Sequence, residues 1–364
     1  MKILILANSD SGLYQFRKEL IEQLSKKNKV VCSVPDTDGF IGKLKKLGCK
    51  CVITGIDRRG VNPIKDLRLF FTYLKLIRRF HPDVVLTYTI KPNVYGGIAS
   101  RMTHTSYLAN ITGLGTAIEN GGLLSKLSLF LYRIGLKKSS CIFFQNRSNL
   151  EFFEKKGIVR DNECLLPGSG VNIETHYLED YPRDEFPFRF LFVGRVMKDK
   201  GIEELLGAVR ILSERELNIV LDVVGACDED YQDILKEYEA DGLIKYHGKK
   251  DDVHPFYANA HCVVLPSYHE GMANVLLEAA STGRPVIATR IPGCMETFDE
   301  GVSGLGCDVY DTMSLVSAMT KMYSLPMEER RKMGLAGRKK VSEKFDRSIV
   351  VKSYLEQIKK IAKK

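Results

Sequence analysis

Residues 269–289 read HEGMANVLLEAASTGRPVIAT and combine a helical pattern with a strand-like ending. Val275, Leu276, Ala279 and Ala280 recur at the spacing of one helix face, and the run PVIAT that follows is typical of a buried strand. A helix that leads into such a strand is the repeating unit of a parallel sheet. The stretch therefore predicts an α/β fold.

Two glutamates frame the start of this predicted helix. Glu270 lies at or before the helix start, and Glu278 lies about 12 Å further along an axis that rises ~1.5 Å per residue. That separation is too long for the carboxylates to share a proton, and it suits the two ends of one elongated ligand. The backbone N–H groups of residues 272–275 would favour an anion at the helix N-terminus. The structural alternative is that Glu270 caps the helix and Glu278 is a solvated surface residue.

The whole chain has the size and composition of a soluble protein with two domains. It contains 364 residues, of which 44% are hydrophobic and 27% are charged. No apolar run approaches the ~18 residues of a membrane span, and the start MKILILANSD lacks a signal-peptide pattern. Nine cysteines without paired spacing agree with a reducing compartment and predict no metal site. We therefore expect a cytoplasmic protein.

Positive charge is concentrated in the first half of the chain. Residues 1–180 contain 27 Lys and Arg against 16 Asp and Glu, a net +11, whereas residues 181–364 contain 27 against 29, a net −2. This asymmetry predicts an anionic partner, and the lack of a recognised nucleic-acid motif disfavours nucleic acid. Segments 66–80 and 123–138 mix Leu and Phe with Lys and Arg, which favours an anionic membrane surface. The same pattern also fits amphipathic helices that pack on a sheet.

Short β-rich runs alternate with helical stretches along the chain. The runs are KILILAN, VVCSV, CVITGI, DVVLTYT, SYLANIT and CIFFQN in the first half, then RFLFVGR, IVLDVVG, IKYHGK, HCVVLPS and PVIAT. This rhythm predicts two Rossmann-like domains with parallel sheets. We expect an N-terminal domain over 1–168, a Pro-, Gly- and acid-rich linker near 168–187, and a C-terminal domain over 188–344. A last helix over 345–364 is expected to pack back on the first domain.

Loops that follow strands carry the candidate binding residues, because open parallel sheets bind ligands beyond the carboxyl ends of their strands. The first strand leads to a turn with Gly12 as its only glycine, so the GxGxxG fingerprint is absent and a nicotinamide-dependent dehydrogenase is disfavoured. The first strand of the second domain leads to FVGRVMKDKG, which places Arg195 and Lys200 beside Gly194 and a helix start. Two cations there can grip a diphosphate.

Several motifs of the second half resemble the retaining nucleotide-sugar transferases of glycosyltransferase family 4. They are GRVMKDKG, VVG, PSYHEGMANVLLEAASTGRPVIAT and PGCMETFDEGVSG, and the spacing of Glu270 and Glu278 matches that family's E-x7-E motif. In the first half, TIKPNVYGGIAS and NITGLGT resemble bacterial enzymes that build capsule, O-antigen or N-linked glycans on polyprenyl diphosphate lipids. The resemblance implies the GT-B fold, in which two Rossmann-like domains face each other across a cleft.

The resemblance also implies roles for the matching residues. Arg195 and Lys200 would hold the donor diphosphate, Glu270 would contact the donor hexose, and these three are the expected catalytic residues. Glu278 would bind the ribose hydroxyls. Further donor contacts are expected from Gly12, Gly194, His269 and the backbone of Gly271, Met272, Ala273, Asn274 and Val275.

The chemistry of sugar transfer agrees with these roles. Negative charge grows on the departing diphosphate while the sugar becomes oxocarbenium-like, so preorganised cations and amide dipoles lower the barrier. Two Asp-x-Asp triplets, 36–38 and 228–230, could bind Mg²⁺, but the two cations already suit the diphosphate. We therefore expect a metal-independent reaction without a cofactor.

The expected function is retaining transfer of a hexose or N-acetylhexosamine from a UDP-sugar to a polyprenyl diphosphate-linked saccharide. The enzyme would act as a peripheral protein on the inner face of the cytoplasmic membrane, without a nucleic-acid partner. A nucleotide-sugar 2-epimerase or hydrolase is one alternative, although no acid/base set for it is identifiable. A non-catalytic sugar-nucleotide-binding subunit is another, and the presence of both glutamates with both cations argues against it.

Overall fold

The chain folds into two compact units, which a computed structural model describes over residues 1–57, 60, 62–114, 118, 121–183 and 187–363. Unit 1 consists of Met1–Ser169 together with Ser348–Lys364, and unit 2 consists of Gly170–Arg347. The division between Ser169 and Gly170 falls at the start of the segment that the sequence marks as a linker.

Unit 1 is built on a seven-stranded parallel sheet with the order β3-β2-β1-β4-β5-β6-β7. Its strands are β1 Lys2–Leu6, β2 Lys29–Val34, β3 Lys50–Ile53, β4 Val84–Tyr88, β5 Ser106–Ile111, β6 Cys141–Phe144 and β7 Glu163–Leu165. The order reverses between β1 and β4, as in a doubly wound sheet. The parallel α/β architecture predicted for the first half is therefore confirmed.

Unit 2 contains a six-stranded parallel sheet with the order β10-β9-β8-β11-β12-β13. Its strands are β8 Phe188–Val193, β9 Ile219–Val224, β10 Ile244–Tyr246, β11 Cys262–Leu265, β12 Val286–Thr289 and β13 Gly304–Cys307. The order reverses between β8 and β11, so the loops after these two strands meet at one point of the carboxyl edge.

Helices cover both sheets. In unit 1 they are α1 Asp10–Ser25, α2 Ile41–Lys46, α3 Pro63–Phe80, a π-helix Pro92–Gly96 that continues into α4 Gly97–Met102, α5 Gly122–Gly135 and α6 Arg147–Lys155. In unit 2 they are α7 Ile202–Glu214, α8 Gln232–Ala240, α9 His254–Asn259, α10 Asn274–Ser281, α11 Pro292–Met295, α12 Thr312–Ser324 and α13 Met327–Lys344. The last helix, α14, spans Arg347–Ala362. In the described part of the chain, no helix has the length and apolar character that a membrane span requires.

Alternating strand residues divide the interior of unit 1 into two cores, one on each face of the sheet. Leu4 and Leu6 of β1 pack with α3 and with Tyr132 of α5, whereas Ile3 and Ile5 pack with α1 and α14. In the core that contains Ile3 and Ile5, the ring centroid of Tyr354 in α14 lies 4.4 Å from that of Phe143. Helix α14 thus forms part of the hydrophobic core of unit 1.

The segment 170–183, at the start of unit 2, is held by hydrogen bonds from two arginines of that unit. Arg338 donates hydrogen bonds to the carbonyl oxygens of His176 and Ser281, at 2.9 and 2.7 Å. The buried Arg284 donates to the carbonyl of Asp180 at 2.6 Å. Residues 170–183 of the predicted linker therefore pack as part of unit 2, and residues 184–186 lie outside the described residues.

Three local features differ from the sequence prediction. Strands β7 and β13 carry no clear strand pattern and were not predicted. Gly12 was predicted in a turn, but it lies in the first turn of α1, where its N–H donates to the Oγ of the N-cap residue Ser9 at 3.0 Å. The helix starts earlier than predicted because this serine cap begins it directly after β1.

Candidate functional site

The candidate site lies at the carboxyl edge of the unit 2 sheet, where the loops after β8 and β11 meet. The loop after β8 leads through a 3₁₀ turn, Lys198–Lys200, into α7. The loop after β11 leads through Glu270 into α10. The two loops are joined by a backbone hydrogen bond from the N–H of Tyr268 to the carbonyl of Asp199, at 2.9 Å.

Lys200 and Glu270 form an ion pair between these loops. The Nζ of Lys200 contacts the Oε1 of Glu270, and the hydroxyl of buried Ser267 donates to the same oxygen at 2.9 Å. The side chains are only 20% and 13% exposed, so solvent screens the pair weakly. The fold therefore holds one cation and one carboxylate, both predicted from the sequence, at fixed adjacent positions.

Two glycines allow the loop of Glu270 to lie this close to its neighbours. Gly201 has a φ of +68°, and a Cβ there would overlap the carbonyl oxygen of Pro266. A Cβ at Gly293 would overlap the carbonyl oxygen of Glu270 itself. A side chain at either position would displace the loop, so the close approach of the backbone requires glycine at both. Gly201 is also required by its left-handed conformation.

Arg195 stands at the end of β8 in a more open environment. Its NH1 donates to the Oδ2 of Asp228 at 2.8 Å, and the arginine side chain is 49% exposed. Backbone pairing extends past β8 and β9 because the N–H of Val196 donates to the carbonyl of Ala226 at 2.8 Å. The backbones of Gly194 and Gly225 also lie close together there, because a Cβ on Gly225 would overlap the carbonyl oxygen of Gly194. The guanidinium is thus positioned and remains accessible to a ligand.

Helix α10 begins at Asn274, four residues after Glu270. Its N-cap residue is Ala273, which provides no side-chain acceptor and whose N–H donates to the Gly293 carbonyl at 2.9 Å. The interpretation of Glu270 as a helix cap is therefore wrong. The positive end of the helix dipole lacks a side-chain cap, which leaves it suited to an anion.

The other backbone residues predicted to bind the donor lie in the same loop. Gly271 and Met272 connect Glu270 to α10, and Val275 lies in its first turn. Within the described residues, the Oδ1 of Asn274 is buried without a hydrogen-bond partner. A buried polar atom without a partner costs about 1–3 kcal/mol, and a ligand that bonds to it would remove that cost. His269 is exposed beside them, and its role stays a prediction.

Glu278 lies one turn inside α10 and is partly buried rather than solvated. The hydroxyl of buried Tyr257, in α9, donates to its Oε2 at 2.9 Å. Burial raises the pKa of the Glu278 carboxyl, and this effect exceeds the opposing effects of the Tyr257 hydrogen bond and the charge of Arg347. The alternative of a solvated surface glutamate is therefore wrong, and the site contains a second oriented carboxylate.

Some residues of the site carry no recognisable sequence signal. Ser267 and Tyr257 orient the two glutamates, yet neither stands at a spacing that sequence reasoning could interpret. Asp228 belongs to a triplet that raised the possibility of a metal site, but its carboxylate accepts from Arg195. In the described ranges, no group of three or more His, Cys, Asp or Glu side chains is arranged to hold a metal ion.

The first-half motifs lie in unit 1. Lys91 of TIKPNVYGGIAS pairs with Asp66 at 2.6 Å, and the following residues form the π-helix. Asn110 of NITGLGT accepts a hydrogen bond from Tyr354 of α14, whereas Gly115 and Thr116 of that motif lie outside the described residues. The donor contact of Gly12 stays a prediction.

Two family models match this chain. The model of the group 1 glycosyl transferases matches residues 175–340, which include the whole candidate site, and the glycosyl transferase 4-like model matches residues 2–146. The first half of the chain thus matches the glycosyl transferase 4-like family and the second half the group 1 glycosyl transferases, and the chain is a glycosyltransferase. The resemblance inferred from the sequence motifs is therefore confirmed.

Curated relatives and solved structures agree with this assignment. This glycosyltransferase is 26% identical, over the full length of both chains, to the N,N′-diacetylbacillosaminyl-diphospho-undecaprenol α-1,3-N-acetylgalactosaminyltransferase of Campylobacter jejuni. It is 25% identical to the capsular polysaccharide glycosyltransferase CapM of Staphylococcus aureus, over 91% of this chain and 90% of CapM. The crystal structure of Anabaena HepE in complex with UDP superposes with a TM-score of 0.82 at 17% identity, covering 99% of this chain and 100% of HepE. This similarity confirms the GT-B fold.

Proposed function

We propose that this glycosyltransferase moves an N-acetylhexosamine or hexose from a UDP-sugar to a hydroxyl of a lipid-linked saccharide, with retention of the anomeric configuration. The observation that carries the proposal is that the segment after β8, where the strand order of unit 2 reverses, holds Arg195 and Lys200, and that Lys200 pairs there with Glu270. Cations beside an uncapped helix start suit a diphosphate, and an adjacent oriented carboxylate suits the hydroxyls of a sugar.

The chemistry that the cluster can perform is stabilisation of a leaving group. As the bond between the sugar and the diphosphate breaks, negative charge builds up on the diphosphate oxygens. Lys200, Arg195 and the amides at the start of α10 are held in place by the fold, so they lose little energy to reorganisation. Glu278, oriented by Tyr257, is proposed to accept hydrogen bonds from the ribose hydroxyls at the other end of the donor.

The names of the relatives support the choice of substrates. The Campylobacter relative, matched over its full length, is an N-acetylgalactosaminyltransferase that acts on a diphospho-undecaprenol-linked sugar, and CapM acts in capsular polysaccharide biosynthesis. HepE has been crystallised with UDP and with UDP-glucose. A UDP-N-acetylhexosamine donor, a polyprenyl diphosphate-linked acceptor and a role in bacterial surface polysaccharide or glycan assembly follow as our proposal. The enzyme would act peripherally at the inner face of the cytoplasmic membrane.

A donor screen tests the proposal directly. The protein is incubated with UDP-N-acetylgalactosamine, UDP-N-acetylglucosamine or UDP-glucose, with and without an undecaprenyl diphosphate-linked monosaccharide, and products are measured by mass spectrometry. We expect the acceptor to gain the mass of one sugar. Conversion of the UDP-sugar at equal rate without acceptor would instead indicate an epimerase or hydrolase, and binding without turnover would indicate a non-catalytic subunit.

Retention is tested on the same product. Because the donors are α-linked, we expect an α-linked product, visible in the proton NMR coupling of the transferred sugar, and undiminished transfer in the presence of EDTA. A β-linkage would contradict retention. Loss of activity in EDTA with recovery in Mg²⁺ would contradict the metal-independent reaction, without affecting the assignment of the transferred sugar.

A further inference from the structure

Helices α3 and α5 expose large apolar side chains to solvent. In α5, Leu123, Leu127 and Phe130 follow one another at helical spacing, and Leu123 is 86% exposed. In α3, Ile64, Leu67 and Phe71 form a similar stripe and are 56–66% exposed. We call these six residues the docking face. Single exposed apolar residues are common on soluble proteins, but two neighbouring stripes mark an interaction surface.

Both stripes lie on the same side of unit 1. The inward residues of α3 and α5 belong to one hydrophobic core, on the face of the sheet opposite α1 and α14. Both helices also pack against the π-helix Pro92–Gly96 and against α4. Among the described residues, the only phenylalanines with a largely exposed ring are Phe71 and Phe130, one on each helix.

The charged residues of α3 and α5 are basic except for Asp66. Helix α3 continues past Phe71 into exposed Lys75, Arg78 and Arg79, and the sequence of α5 contains a lysine and an arginine but no acid. The one acidic residue of α3 is Asp66, whose carboxylate pairs with Lys91 at 2.6 Å and accepts from Tyr95 at 3.0 Å. This charge is therefore compensated within the fold, and the two helices together carry a net positive charge.

We propose that the docking face inserts into the headgroup region of an anionic membrane, with the basic end of α3 against the lipid phosphates. Leucine and phenylalanine on one side of a helix, with lysine and arginine beside them, are the composition of helices that lie in the membrane interface. Charge complementarity identifies an anionic bilayer as the occupant. The inference rests on the proposed function, because a lipid-linked acceptor requires the enzyme at a membrane surface.

The structure predicts two components of binding with different salt dependence. Attraction between basic residues and anionic lipid contributes about fivefold per residue near the surface and is screened beyond ~8 Å at physiological salt. Insertion of exposed leucines and phenylalanines depends on buried apolar area, which salt does not screen. Binding should therefore fall at high salt without disappearing, whereas a purely electrostatic surface would release the protein.

Vesicle co-sedimentation tests the face with two variants. The apolar variant is Phe71→Ser with Phe130→Ser, and the charge variant is Lys75→Gln with Arg78→Gln and Arg79→Gln. Phosphatidylcholine vesicles are compared with vesicles that also contain phosphatidylglycerol, at low and high salt. We expect each variant to reduce partitioning at least tenfold, the apolar variant by removing the salt-resistant part and the charge variant by removing the preference for phosphatidylglycerol.

A matched control replaces exposed apolar residues elsewhere. Val302→Ser with Met313→Ser changes residues of unit 2 that are 58% and 54% exposed, and it should leave partitioning unchanged. Equal effects of the control and the apolar variant, or wild-type partitioning of both the apolar and the charge variant, would overturn the inference. So would a change from oligomer to monomer in the apolar variant without vesicles, measured by light scattering, because the face would then join two copies of the chain.

Transfer assays separate this inference from the proposed function. With the lipid-linked acceptor on vesicles, the docking-face variants should transfer sugar more slowly, whereas with a short-chain acceptor in solution they should match the wild type. Transfer to the lipid-linked acceptor by wild type and variants alike would refute the docking face and leave the proposed function intact. Variant-sensitive vesicle binding without transfer by the wild type would refute the proposed function alone.

Discussion

Replacement of Gly201 by alanine should disable the site by moving the loop that carries Glu270. Gly201 follows Lys200 directly and has a φ of +68°, and a Cβ there would overlap the backbone oxygen of Pro266. Pro266 begins the loop that places Ser267 and Glu270. Because the obstacle is backbone rather than the end of a flexible side chain, the loop itself must shift, by about 1 Å.

The loss of unfolding free energy expected for Gly201→Ala has two contributions. A left-handed conformation costs an alanine about 1–2 kcal/mol relative to glycine, and forcing a methyl group into a packed space costs about 1–3 kcal/mol more. Gly242, in the turn after α8, isolates the first part, because its φ is +73° and no atom lies within 4 Å of a Cβ built there. Gly242→Ala should therefore lower the free energy of unfolding by about 1–2 kcal/mol, and Gly201→Ala by about 2–5 kcal/mol.

Urea unfolding and sugar transfer measure the two consequences separately. A shift of about 1 Å in a positioning loop can reduce turnover ~10²-fold, so Gly201→Ala should lose turnover to that degree even where it is fully folded. Gly242→Ala should retain the turnover of the parent. Equal losses of stability and of turnover in the two variants would show that the contact between Gly201 and Pro266 does not position the site.

The remaining predictions concern charges of the site. Arg195→Ala and Lys200→Ala should each reduce turnover by ~10²-fold, as does loss of one preorganised donor to a developing anion, and turnover within threefold of the parent for both folded variants would remove the diphosphate assignment. Glu278→Gln should be more stable than the parent at pH 8, with an advantage in urea midpoint that shrinks toward pH 4. Burial raises the pKa of Glu278 in the folded state, so the protonated carboxyl stabilises the fold at low pH and this stabilisation is lost as the pH rises through the folded-state pKa. A pH-independent difference between Glu278→Gln and the parent would contradict this account.

Most strands that the sequence predicted are continuous apolar runs buried on both faces, and the more exposed edge strands β3 and β10 were also predicted because they contain β-branched or aromatic residues. The prediction failed for β7, Glu163–Leu165, a three-residue edge strand, and for β13, Gly304–Cys307, in which every second residue is glycine. Both lie at the end of their sheet's strand order, where one neighbour suffices to hold them. A Cβ at Gly304 would come too close to Val286 and Phe298, so packing rather than strand propensity decides this residue.

The charged residues of the site were predictable from the sequence, but their partners were not. Arg195 and Lys200 stand out because they follow a predicted strand beside a glycine turn, and Glu270 and Glu278 because their spacing matches a family motif. The pairing of Lys200 with Glu270 joins residues 70 positions apart, and it depends on the reversal of strand order that makes the loops after β8 and β11 neighbours. The spacing of these residues in the sequence does not predict that the two loops are neighbours.

Lys200 and Arg195 lie in different environments, and this difference supports different roles for them in the proposed reaction. Lys200 is mostly buried against Glu270, so its charge has a fixed position and acts at short range in weakly screened surroundings. Arg195 is half exposed and paired with Asp228 through a single NH1 contact, so its planar guanidinium can exchange that carboxylate for two phosphate oxygens. Both cations are held by carboxylates, which keeps their positive charges oriented at the carboxyl edge of the sheet. A diphosphate that reaches this edge therefore meets charges already in place, and the energy it gains from them is available to the leaving group as its negative charge grows.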